Sequence, residues 1–84
     1  MECSGNGPLI VLDDADLAAA AKAAVYGAAL CSGQVCCATE RVLVERRVHD
    51  AFVDAVLAET DTVCLGDPFE TGTTLGPLNN EAVA

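Results

Sequence analysis

With 84 residues the chain forms at most one domain, and it can bury only about 60–65 % of the surface its unfolded form exposes. Thirteen acidic residues against four basic ones give a formal charge of −9. That charge repels phosphate backbones and anionic lipid, so neither nucleic acid nor a membrane is expected as a partner. Hydrophobic residues make up 52 % of the chain, yet there is no tryptophan, one tyrosine and two phenylalanines. The aromatic share of a core is missing. A segment that packs against more protein than these residues supply is therefore expected.

In chain order, Gly5-Asn6-Gly7-Pro8 is a turn cluster. The branched run LIVL at residues 9–12 reads as a strand buried on both faces. Asp13-Asp14-Ala15-Asp16 offers a cap and negative charge to a helix running from about Ala15 to Leu30. Alanine covers nearly every face of that helix, so it is expected to be mostly buried. Its most apolar stretch, residues 17–31, is shorter than the roughly 20 residues of a membrane span, and Lys22 interrupts it. Ser32-Gly33 ends the helix. RVLVE at 41–45 reads as a second strand. From Val48 to about Val63 an amphipathic helix follows: Val48, Phe52, Val53, Val56 and Leu57 recur at helical spacing, opposite Asp50, Asp54 and Glu59. Residues 64–80 carry glycines, prolines and turn formers and read as loop. EAVA at the end reads as the first turn of another helix. Strand, helix, strand, helix is an α/β order with a parallel sheet. Neither end resembles a domain boundary.

The five cysteines are Cys3, Cys31, Cys36, Cys37 and Cys64. Their number is odd, no C-x-x-C occurs, no signal-peptide pattern precedes them, and His49 is the only histidine. A zinc site needs about four clustered ligands, so no metal is expected. The reading is of reduced thiols in a cytoplasmic protein.

Cys36 and Cys37 stand side by side after Ser32-Gly33-Gln34. Either they are small buried hydrophobes or one of them is a nucleophile. A thiol on such a turn, near backbone N–H donors, is expected to ionise more readily than a free one. Gly33 lets backbone come close to a ligand, and Gln34 can orient a group by hydrogen bonding. Glu2 is a carboxylate that could act on water as a general base; alone it reads as an exposed terminal residue. His49 is an alternative base, and Arg41, Arg46 and Arg47 an alternative anion site, although all four read more simply as surface residues. GNGP is not a phosphate loop, because no Gly-Lys-Ser/Thr follows and G-x-G-x-x-G is absent.

MECSGNGPLIVLDDADL resembles the glutamate motif of the aldehyde dehydrogenase superfamily, in which E-L-G-G-[KN]-x-P precedes a buried strand and D-A-D. SGQVCCATER resembles that superfamily's cysteine motif, G-Q-x-C, and GDPFETGTTLGPL its G-[DN]-P loop. Glu2 and Cys36 lie 36 − 2 = 34 residues apart, a matching spacing. The resemblance covers essentially all 84 residues. It implies part of an α/β catalytic domain with the nucleotide-binding domain outside these residues. It implies Cys36 as nucleophile, Glu2 as general base and a backbone contact from Cys3 to the cofactor, NAD or NADP. The implied reaction oxidises a small-molecule aldehyde to a carboxylic acid through a thiohemiacetal and a thioester. An oxyanion would be held by the Cys36 backbone N–H and by an asparagine upstream of these residues. The parent enzyme would be a homodimer or homotetramer, and the 84 residues alone would be inactive. Two positions depart from the pattern: Cys3-Ser4-Gly5 stands for Leu-Gly-Gly, and Cys31 for an asparagine. The alternatives are a non-catalytic truncated remnant or subunit-interaction fragment, and a thiol redox module.

Overall fold

The structure, a computed structural model, describes all 84 residues. Strand β1 (Gly7–Val11) leads through helix α1 (Leu17–Ala29) to strand β2 (Thr39–Val44), and helix α2 (His49–Thr60) follows. Short 3-10 turns cover Leu30–Gly33, Arg46–Val48 and Glu81–Val83. The two strands pair in parallel, as the α/β order predicts. Parallel neighbours need a crossover rather than a tight turn, and α1 is that crossover.

Local chemistry sets the element ends. Asp16 caps α1, its carboxylate accepting from the Ala19 N–H at 3.1 Å. That places the first helical residue at Leu17, two after the Ala15 expected from the acidic run. β1 begins at Gly7, two residues before LIVL, and β2 at Thr39 rather than Arg41. Pro8 has no N–H for the ladder. The register slips there: Gly7 faces Thr39 while Pro8 faces Arg41, leaving Glu40 as the extra residue. α2 stops at Thr60, short of Val63. Beyond it the Thr62 and Val63 N–H groups turn back to the Glu59 and Thr60 carbonyls, and the Thr62 hydroxyl donates to Glu59 O at 2.7 Å. The first turn expected at EAVA is a 3-10 turn capped by Asn80, whose side chain accepts from the Ala82 N–H at 3.0 Å.

The core lies on one side of the sheet. Val11, Ala21, Ala24 and Phe52 are buried together, with Leu9, Val42, Val44 and Val56 packed around them. Both helices bury their apolar stripe against this face. Two expectations fail as a result. β1 is not buried on both faces: Ile10 and its partner Leu43 are 64 % and 52 % exposed on the other side. α1 is not mostly buried: only Ala21 and Ala24 are, and Tyr26 faces solvent. Alanine all round a helix allows close approach on every face but does not supply the neighbours. The radius of gyration is 14.1 Å, against about 12 Å for a compact domain of this length. The molecule is a flat slab of 39 × 35 × 17 Å.

Residues 64–80 are a loop, as expected, but a closed one. An isolated parallel bridge joins Leu65 to Leu75. Thr74 Oγ1 accepts from the Cys64 N–H at 2.7 Å, and the Thr74 and Leu75 N–H groups donate to Cys64 O. No helix is long and apolar enough to cross a membrane.

Phe52 is the only fully buried residue of α2 and joins that helix to the buried cluster. Phe52→Ala is expected to lower the unfolding free energy by about 3 kcal/mol, the low end for a buried phenylalanine because few large neighbours surround the cavity. Urea titration followed by circular dichroism checks it.

Candidate functional site

The segment between α1 and β2 builds one half of the site. α1 ends in three consecutive residues with positive φ: Cys31 at 51°, Ser32 at 60° and Gly33 at 76°. Glycine tolerates this region, whereas cysteine and serine each lose about 1–2 kcal/mol in it. The helix thus ends one residue earlier than Ser32-Gly33 predicts. Hydrogen bonds hold the strained turn. The Gln34 backbone N–H donates to Cys31 O at 3.2 Å, and Gln34 Nε2 donates to the same carbonyl at 2.9 Å. Ser32 Oγ donates to Gly76 O at 2.9 Å, and the Asn79 N–H donates to Gln34 Oε1 at 2.8 Å. A second turn follows at once, closed by the Ala38 N–H on Val35 O at 2.9 Å. Cys36 and Cys37 are its two central residues.

The chain before β1 builds the other half. It runs alongside the cysteine turn as a continuation of the parallel pairing. The approach is so close that a Cβ on Gly5 would stand 1.8 Å from the Cys36 carbonyl oxygen, and one on Gly7 2.3 Å from that of Ala38. Any side chain at either position would push the two segments apart. Ser4 takes a φ of 89°, at a position where the glutamate motif has glycine. This path brings Glu2 to Cys36.

Electrostatics records the meeting. The Cys36 thiol is raised above its ordinary pKa, first by a side-chain hydrogen bond with Glu2 and then by desolvation and the neighbouring Cys37 thiol. The Cys37 backbone N–H pulls the other way. A carboxylate that accepts the thiol proton stabilises the neutral form. The direction is opposite to that expected of a readily ionised turn thiol, with Glu2 as its first cause.

Exposure decides the question posed by the cysteine pair. All five cysteines are free and exposed, so none of them fills the core. Cys3 is exposed too, and neither its N–H nor its carbonyl has a partner within the chain. The same holds for the Cys36 N–H. His49 does not join the site. β2 carries the chain about 17 Å away from the cysteine turn, at some 3.3 Å per residue, before α2 begins. There His49 Nδ1 meets Asp50 Oδ1 at 3.1 Å. Arg47 reaches Asp13 at 3.6 Å in a solvent-exposed pair, worth at most about 1 kcal/mol. No group of three or more His, Cys, Asp or Glu side chains could hold a metal. A hollow of about 600 Å³ opens between α1, α2 and β2, lined by Ala24, Val42, Phe52 and Val56 among others, and contains neither Glu2 nor Cys36.

Sequence reasoning singled out Glu2, Cys3, Cys36 and Gln34. It missed Ser32, Gly76 and Asn79 as tethers of the turn. The available signal was the turn itself: a helix that leaves through Cys-Ser-Gly needs outside support, and the longest polar loop in the chain is 64–80.

The sequence profile described as the aldehyde dehydrogenase family matches residues 1–84. Vanillin dehydrogenase of Pseudomonas fluorescens is 47 % identical over 78 residues, covering 93 % of this chain and 16 % of that protein. Lactaldehyde dehydrogenase of Methanococcus vannielii is also 47 % identical over 78 residues, covering 93 % of this chain and 17 % of its own. Among solved structures, betaine aldehyde dehydrogenase from Staphylococcus aureus in complex with NAD+ superposes with a TM-score of 0.91 at 34 % identity, over 96 % of this chain and 16 % of that one. An NADP-dependent enzyme of E. coli gives 0.92 at 36 % identity, over 96 % and 17 %. The chain therefore spans about a sixth of the length of the relatives it matches.

Removing the Glu2 charge is expected to release the Cys36 proton more easily. In Glu2→Gln the rate–pH profile of Cys36 alkylation by iodoacetamide, read by peptide mass spectrometry, moves to lower pH. An unchanged midpoint would separate the two groups.

Proposed function

This chain belongs to the aldehyde dehydrogenase family, and from that membership we propose that Cys36 and Glu2 are the nucleophile and general base with which the parent protein oxidises an aldehyde to a carboxylic acid. The reading is supported by the close backbone approach of Gly5 to Cys36, which lays the segment carrying Glu2 beside the cysteine turn, and by the influence of the Glu2 carboxylate, which raises the Cys36 thiol above its ordinary pKa. A nucleophile and its base must lie within hydrogen-bond reach.

The steps follow from that contact. Glu2 takes the thiol proton as Cys36 sulfur bonds to the aldehyde carbon, and the carbonyl oxygen becomes an oxyanion. The unpartnered Cys36 N–H is a donor free to meet it. NAD or NADP, when bound, supplies the hydride acceptor. Loss of hydride from the thiohemiacetal carbon leaves a thioester on Cys36. Glu2, having given up its first proton to solvent, takes a proton from water as the water oxygen attacks the thioester carbon. The carboxylic acid departs and the thiol is restored. Cys37 lies beside the reacting sulfur without a role in the bond changes.

The fit of the cofactor is local. The free backbone N–H and carbonyl of Cys3, beside Glu2, are the groups here that would meet the nicotinamide. The charge of −9 and the absence of G-x-G-x-x-G leave no phosphate site among these residues. The nucleotide would be held by the rest of the parent protein, whose cytoplasmic location and homodimeric or homotetrameric assembly belong to the same proposal. The relatives' names run from vanillin to lactaldehyde. The substrate class is thus an aldehyde, aromatic or aliphatic.

In the parent protein, Cys36→Ala is expected to abolish aldehyde-dependent reduction of NAD or NADP. Glu2→Gln is expected to slow steady turnover by about 10²–10⁴-fold. Cys37→Ala retains turnover. Loss of activity in Cys37→Ala with survival of Cys36→Ala would assign the nucleophile to the other thiol.

A further inference from the structure

We propose that Gln34 is a positioning residue, whose side-chain amide ties the turn after α1 to residues 76–79 and so sets Cys36 against Glu2. The proposal rests on reading Cys36 and Glu2 as the reacting pair.

No regular ladder holds the chain between Leu30 and Ala38, yet Cys36 sits in it. Two non-glycine residues there, Cys31 and Ser32, have left-handed φ. Such backbone persists only where surrounding contacts over-determine it. Gln34 supplies those contacts from both ends of one planar group. Its Nε2 donates to Cys31 O at 2.9 Å, inside the strained turn, and its Oε1 accepts from the Asn79 N–H at 2.8 Å, 45 residues along the chain. Ser32 adds a parallel tether, Oγ to Gly76 O at 2.9 Å. The chemistry selects the residue type. A glutamate has no donor for Cys31 O, a lysine no acceptor for Asn79, and an asparagine is one methylene shorter. From Gln34, only Val35 intervenes before Cys36. On the far side of the site Gly5 is in backbone contact with Cys36. The Cys36 turn is thus clamped between the lead-in to β1 and the 76–79 segment, and Gln34 is the link to the second jaw.

The test is made on the parent protein by measuring the pH dependence of Cys36 alkylation with iodoacetamide, localised by fragment mass spectrometry, together with the melting temperature. Gln34→Ala is expected to move the alkylation midpoint down, as Glu2→Gln does, because a loosened turn weakens the Glu2 contact. In the Glu2→Gln background Gln34→Ala is expected to add no further shift. Ser32→Ala, which cuts the neighbouring tether and leaves Gln34 in place, is expected to move the midpoint the same way by less. It serves as the second reading if Gln34→Ala fails to fold. A lower melting temperature with the wild-type alkylation profile in Gln34→Ala, or in Ser32→Ala where it stands in, would reduce the tether to a structural contact and overturn the proposal. So would a full additional shift in the double variant. A Glu2→Gln profile that does not move would overturn the reacting pair itself, and the two failures are thereby told apart.

Discussion

The parallel pairing of β1 with β2 is the constraint on which the site depends. Its register places Gly7 beside Thr39. Carried back a few residues on each strand, the same alignment lays the amino-terminal segment along the cysteine turn. Glycine at positions 5 and 7 removes the side chains that would hold the two backbones apart. Glu2 and Cys36 belong to segments joined by an entire helix, yet they meet because the strands entering the sheet start side by side. A slip of one residue would turn every side chain of β1 to the opposite face. The burial of Val11 with Ala21, Ala24 and Phe52 on the inner face resists that slip.

Rigidity is unevenly distributed as a result. The buried cluster stiffens the carboxyl ends of the strands and the helices behind them. Glu2 and Cys36 lie beyond the amino ends, exposed, on backbone that forms neither helix nor strand. Their positions are set by close backbone contact on one side and by the Ser32 and Gln34 hydrogen bonds on the other. Open α/β sheets ordinarily bind ligands outside the carboxyl ends of their strands. The arrangement here is the reverse, so knowledge of the fold class would not have located the site.

The raised pKa of Cys36 gives the pair its chemical character. A strongly acidic thiol is ionised in advance but is a weaker nucleophile and a better leaving group. A thiol that keeps its proton on a neighbouring carboxylate becomes nucleophilic only as that proton moves. His49, the other candidate base by residue type, stands at the far end of β2 beside Asp50, away from this pair.

Much was legible along the chain because it is encoded locally. Branched runs, an aspartate before a run of alanines, helical spacing from Phe52 to Leu57, and glycine-rich breaks report backbone preferences within a few residues. The order of elements, the parallel sheet and the family pattern in MECSGNGP and SGQVCC follow from them. What is covered and what meets could not be read that way. LIVL has the composition of a doubly buried strand, but both helices chose the same face and left Ile10 and Leu43 in solvent. The thiols could have been core residues by composition, and they are exposed at a turn. The reversal of the Cys36 shift, and the tether from Gln34 to Asn79, arise between residues 34 and 45 positions apart. Sequence alone determined the elements and the reactive residue types, because these depend on near neighbours. Only the tertiary structure decided their burial and proton affinity, because these depend on which distant segments share the same space.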